Sequence, residues 1–159
     1  MVANAGILGV ISPIGHIEAK TFEKVMTINV TATWRLIRSM EPLLRKSDAG
    51  RAILLSSGVS HTARAFWSAY AASKSAVETM ARCWAEETKN TPLRVNSVTP
   101  GPTRTAMRAQ AMPGEDPDTL PHPSEVAAKI VKLASPTLAE TGMLFDVRAD
   151  RFKKYVMPA

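Results

Sequence analysis

The stretch AYAASKSA, residues 69–76, sets Tyr70 and Lys74 four positions apart among small side chains. On a helix that spacing places both on one face. A tyrosine is a poor acid or base at neutral pH, because its ordinary pKa lies near ~10. A nearby ammonium favours the phenolate and lowers that value, and a phenol tuned this way exchanges a proton with an alcohol or a carbonyl. The same pair would also suit an ordinary helix surface, so its meaning depends on its surroundings. Ser57 lies upstream, at the end of the apolar run RAILLSS. Its hydroxyl would either hold a substrate oxygen or satisfy a turn. Asn29 interrupts an apolar helical stretch, and a buried amide must be paired. It would either bond nearby backbone or hold a water near the lysine.

These residues need elements to bring them together. Residues 1–5, MVANA, read as a short strand halted at Gly6. From Ala19 to Arg45, Phe22, Val25, Ile28, Ala32, Leu36 and Met40 recur at helical spacing. RAILLSS reads as a buried strand. Ala69–Lys89, rich in Ala and Glu, reads as a helix that ends before Pro92. LRVNSVTP is a third strand. Residues 100–122 hold five of the 11 prolines and read as a long loop. SEVAAKIVKLA is a helix with Ser124 as a candidate N-cap, and GMLFDV is a last strand. Strands alternating with helices argue for an α/β fold with a parallel sheet and right-handed crossovers. Ligands bind such sheets beyond the carboxyl ends of the strands. Those ends are Asn4-Ala5-Gly6, Ser56-Ser57 and Thr99-Pro100-Gly101.

Composition narrows the function classes. The formal net charge is +6, but the Lys and Arg residues are scattered, with no basic stripe of interleaved aromatics. That argues against a nucleic-acid surface and still favours an anionic ligand such as a dinucleotide. The single cysteine, Cys83, fits a reducing cytoplasm and offers no metal-ligand cluster. No Lys or Arg precedes Lys20, so the opening run lacks the basic start of a secretory signal. No apolar stretch is long enough to span a bilayer.

The motifs together resemble the short-chain dehydrogenase/reductase family. They are NAG at 4–6, INVTA with Asn29, LLSS ending in Ser57, YAASK from Tyr70 to Lys74, and VNSVTPGPTRT through Thr105. Their order and spacing are similar to the second half of that family over nearly the whole chain. The resemblance implies a partial Rossmann-like domain spanning residues 1–159, with about four parallel strands. It implies hydride transfer between NAD(P)(H) and a small carbonyl or alcohol substrate. Tyr70 would be the acid/base. Lys74 would lower its pKa and bond the nicotinamide ribose, Ser57 would orient the substrate oxygen, and Asn29 would complete a proton relay through water. Asn4, Ala5 and Gly6 would line the adenosine side. Pro100, Gly101, Thr103 and Thr105 would face the nicotinamide carboxamide or a phosphate. The residues 103–122 and the C-terminal tail would set the substrate, with Met107, Met112 and Leu120 as candidate contacts.

The family's glycine-rich TGxxxGxG turn is missing from this sequence, and with it the residue that separates NAD from NADP. The reading is therefore of a truncated domain, with an inactive folded remnant as its alternative. A strand at residues 1–5 without its usual neighbour would leave an exposed edge. Homo-oligomerisation is expected through that edge or through Trp34, Met80 and Trp84 on the two long helices.

Overall fold

The computed structural model describes residues 1–155. Strands β1 (Val2–Ala3), β2 (Arg51–Leu55), β3 (Arg94–Thr99) and β4 (Leu144–Asp146) run parallel in chain order. A fifth strand, β5 (Arg151–Lys153), turns back antiparallel onto β4. The parallel set has the four strands expected, and β5 extends it at one edge. The sheet register aligns Ala3 with Leu54, Leu55 with Val98 and Thr99 with Asp146.

Strand β2 shows why the sheet is covered on both faces. All five of its residues are buried. Period-two alternation sends Ala52 and Leu54 to one side and Ile53 and Leu55 to the other. On the first side they meet Ile37, Val77, Ala81, Trp84 and Val95. On the second they meet Val98, Val126, Leu133 and Phe145. Arg51 is also buried, and its guanidinium donates to the carbonyls of Gly50, Pro92, Ser135, Pro136 and Leu138. Those bonds tie the start of β2 to the chain beyond α6 (Pro123–Val131).

The first long helical stretch departs from a single 3.6-residue period. It comprises α1 (Ala19–Met26), a π-helical segment (Thr27–Thr31) and α2 (Ala32–Lys46). A π turn inserts an extra residue and so shifts the phase of the buried face. Val25 is buried as the spacing predicts, but beyond it the core takes Asn29, Thr33, Ile37 and Leu44. Ile28 and Leu36 are only half-buried, and Ala32 and Phe22 are exposed. The shift is what turns Asn29 inward.

Helix α4 (Ser68–Glu87) matches the strong helical pattern of that segment. Its Trp84 is 3% exposed and lies in the core, and Met80 packs against the same cluster. Of the three residues expected to mediate self-association, only Trp34 faces outward, 47% exposed under the Arg38 guanidinium. The expected long loop contains a short helix, α5 (Ala106–Ala111), and a 3-10 turn at Pro117–Thr119. His122, not Ser124, caps α6. Its ring nitrogen accepts from the Ser124 backbone N–H, the Glu125 carboxylate accepts from the His122 backbone N–H, and Pro123 fills the first helical position. A final short helix, α3 (Val59–Thr62), follows β2. No helix among the described residues is long and apolar enough to cross a membrane.

Candidate active site

The carboxyl ends of β1, β2 and β3 open into one cavity of about 1200 Å³. Asn4, Ala5 and Gly6 line it from β1, Ser57 from β2, and Tyr70 and Lys74 from α4. Pro100, Gly101, Thr103 and Thr105 line it from the turn after β3. Chain segments up to a hundred residues apart in sequence thus converge on one space because the parallel topology stacks their strand ends.

Tyr70 and Lys74 share one face of α4, with the Lys74 Nζ 5.7 Å from the centre of the Tyr70 ring. Ser57 and the Tyr70 phenol stand near each other in the wall of the same cavity. Lys74 is 5% exposed, and its ammonium donates to the Leu55 carbonyl over 2.8 Å. Burial holds its pKa down to about 8. The phenol of Tyr70 departs from the expected direction. Burial pushes its pKa up, and the nearby Ser57 hydroxyl offsets only part of that rise. Desolvation of the phenolate dominates here, and the lysine directs a hydrogen bond to a main-chain carbonyl.

Asn29 joins the site from behind rather than lining the cavity. Its Oδ1 accepts from the Ile7 N–H over 2.8 Å. Its Nδ2 donates to the Ile7 carbonyl over 3.0 Å and to Ser73 Oγ over 2.9 Å. Both amide protons are therefore committed to protein. Gly6 lies between Asn29 and Lys74. A Cβ there would stand 3.3 Å from Asn29 Oδ1 and 3.4 Å from Lys74 Nζ, so the glycine keeps the cavity floor thin. Ser73 continues the chain by donating to the Tyr70 carbonyl over 2.7 Å.

The turn after β3 is shaped by Gly101, whose φ of +76° is readily adopted only by glycine. Thr103 Oγ1 donates to the Gly101 carbonyl over 3.2 Å. Thr105 caps α5, its Oγ1 accepting from the Arg108 N–H over 3.2 Å. Thr105 is exposed, and its first task in the fold is that cap.

Several lining residues carried no signal in sequence. Trp67 is buried against Tyr70 edge-on, with ring centres 6.2 Å apart, and Arg64 lies 5.2 Å above the Trp67 ring. Ala63 and Phe66 bracket that arginine at φ +43° and +72°. Only their place between Ser57 and Tyr70 could have drawn attention to them.

A family model described as short chain dehydrogenase matches residues 1–116. The chain belongs to that family. The uncharacterized oxidoreductase YciK of Escherichia coli is 44% identical over 149 residues, which cover 93% of this chain and 59% of the relative. A short chain dehydrogenase from Salmonella enterica superposes with a TM-score of 0.89 at 43% identity, covering 92% of this chain and 61% of that one. One from Shigella flexneri, solved with NADP, superposes at 0.88 with 44% identity, covering 92% and 62%. The chain thus spans roughly three-fifths of the length of these short-chain dehydrogenases. Its parallel sheet flanked by helices is the architecture that this oxidoreductase family shares.

Proposed function

We propose that the chain carries the catalytic part of a nicotinamide-dependent oxidoreductase that interconverts a carbonyl and an alcohol. The observation that carries this reading is the convergence of Tyr70 and Ser57 on the strand-end cavity, with the buried Lys74 on the same helix face.

The cavity fits a dinucleotide by its shape and charge. A side chain at Gly6 would crowd Asn29 and Lys74. Gly101 turns the backbone where only glycine is at ease, and Arg148 and Lys154 add positive charge to the wall. Asn4, Ala5 and Gly6 would hold the adenosine side, and the segment from Pro100 to Thr105 the nicotinamide side. The bound nicotinamide supplies or accepts the hydride. Tyr70 gives its proton to the carbonyl oxygen as the hydride reaches the carbon, and takes it back in the reverse direction. Ser57 holds that oxygen in line. Lys74 keeps two ammonium protons beyond the one given to Leu55, enough to bond ribose hydroxyls and to stabilise a developing phenolate. Asn29 fixes the floor behind Lys74. Trp67 and Arg64 wall the substrate side. The Shigella flexneri structure holds NADP, and an Arabidopsis thaliana relative, 35% identical over 96 residues, is an NADPH-dependent aldehyde reductase. We therefore favour NADP(H) and an aldehyde- or ketone-bearing substrate.

The test begins with titration by NADPH and by NADH, read through quenching of the three Trp residues. Trp67 lies in the cavity wall and reports occupancy. Saturable binding, tighter for NADPH, is expected. Tyr70→Phe should keep that binding and lose carbonyl reduction by roughly a thousandfold or more, within the range of a lost acid/base group. A folded protein that binds neither dinucleotide, or a Tyr70→Phe variant that still turns over, overturns the reading.

A further inference from the structure

Helix α4 carries a third polar residue on the face of Tyr70 and Lys74. Glu78 lies one further turn along and is 4% exposed. The three residues face successive parts of the same strand exit. Lys74 holds the Leu55 carbonyl, Glu78 Oε1 accepts from Ser56 Oγ over 2.5 Å, and Tyr70 shares the cavity wall with Ser57.

A carboxylate this deeply buried is costly unless it is fully bonded. Glu78 also takes Ser60 Oγ over 2.8 Å and His61 Nε2 over 3.0 Å. The Tyr155 hydroxyl is buried near it, and the Glu78 carboxylate adds to the rise that burial gives the Tyr155 pKa. The partners on the strand-exit side flank Ser57 on both sides. Ser56 precedes it, and Ser60 and His61 follow it. The Ser60 hydroxyl has a single proton and two acceptors in reach, Glu78 Oε1 and the Ser57 carbonyl at 2.7 Å. The backbone at Ser57 is thus set by how Glu78 and the local turn share that proton. The Ser56 N–H, bonded to the Val98 carbonyl over 2.7 Å, anchors the other end.

We propose that Glu78 is a positioning residue for Ser57. By clamping Ser56 and the Ser60–His61 turn it fixes the Ser57 hydroxyl that shares the cavity with Tyr70. The assignment rests on the proposed catalytic role of the Ser57–Tyr70 pair, and it concerns a carboxylate that no step of the reaction itself uses. Charge on Glu78 strengthens each of its hydrogen bonds relative to a neutral acceptor.

The experiment is NMR of protein labelled with carbon-13 at the tyrosine ring Cζ, at neutral pH, with circular dichroism as a check on folding. The chain has two tyrosines, so Tyr70→Phe assigns both resonances. Ser57→Ala gives the position of the Tyr70 signal without the Ser57 hydroxyl. Glu78→Ala is expected to move the Tyr70 signal most of the way to that position, and the Ser57→Ala/Glu78→Ala double variant to leave it where Ser57→Ala alone does. The isosteric Glu78→Gln keeps one acceptor and is expected to shift the signal in the same direction by less. If Glu78→Ala unfolds, Glu78→Gln alone decides. A Tyr70 signal that stays at the wild-type position in the folded Glu78 variants, while Ser57→Ala moves it, overturns the clamp. A Ser57→Ala variant that leaves the signal in place instead overturns the Ser57–Tyr70 pairing and the catalytic reading built on it.

Discussion

Lys74→Met should remove most of the rise in stability of this protein above pH 8. Lys74 is 5% exposed, and burial lowers its pKa from 10.5 to about 8. Between those two values the unfolded chain binds a proton that the folded chain has released. Stability therefore rises with pH across that window and is at its lowest below it. At about 1.36 kcal/mol per pH unit, the full gap is worth on the order of 3 kcal/mol. Most of it, about 2–3 kcal/mol, is recovered between pH 7 and pH 10. Methionine keeps the aliphatic length and carries no charge to desolvate, but it leaves the Leu55 carbonyl without the donor it now has. That loss costs about 1–3 kcal/mol at every pH. The wild type and variant should therefore have similar stabilities at pH 7, and the wild type should pull ahead by pH 10.

Urea unfolding followed by circular dichroism at pH 7, 8, 9 and 10 gives both curves. Other groups titrate nearby. Burial lowers the Met1 amine from 8.0, which adds stability as pH rises toward that value. The raised phenol of Tyr70 acts oppositely and loses stability as pH climbs above 10.0. The Met1 amine is untouched by the substitution and the Tyr70 window opens only above 10.0, so between pH 7 and pH 10 the difference between the two proteins isolates Lys74. Parallel curves over the whole range would show an ammonium that stays hydrated, and the argument from burial would fail.

Two further substitutions probe the frame of the site. Asn29→Ala strips the Ile7 N–H, the Ile7 carbonyl and Ser73 Oγ of a fully buried partner. It should cost about 3 kcal/mol in urea unfolding, and a loss under ~1 kcal/mol would mean that water replaces the amide. Gly50→Ala would place a Cβ 2.3 Å from the Leu44 carbonyl oxygen, which is backbone and cannot rotate aside. It should lower stability by about 2 kcal/mol or more, and a neutral result would show that the α2–β2 junction yields freely.

Much of the site was legible because strand ends and helix spacing are local properties. Tyr70 and Lys74 needed only a four-residue repeat, and Ser57 only the end of an apolar run. Asn29 stood out as a polar residue in an apolar stretch, but its inward turn depends on the π segment. An unbroken helical period would have buried Ile28 and Ala32 in place of Asn29 and Thr33. Thr105 read as a ligand contact, whereas its hydroxyl first caps a helix that the proline-rich segment gave no reason to expect. Trp84 read as a sticky surface residue because an amphipathic pattern does not say which side of a long helix the sheet will take.

Glu78 was the hardest to see. On a helix rich in alanine and glutamate it is indistinguishable from Glu86 and Glu87, which face water. What separates it is tertiary. Ser56, Ser60 and His61 arrive from the preceding strand exit and short helix and surround it. The same fold that brings Ser57 and Tyr70 to one cavity must therefore bury Glu78, since one exit from β2 packs against one face of α4. An apolar side chain at that depth would strand the buried Ser56 hydroxyl, so the carboxylate and the strand exit around Ser57 are kept together by one set of hydrogen bonds.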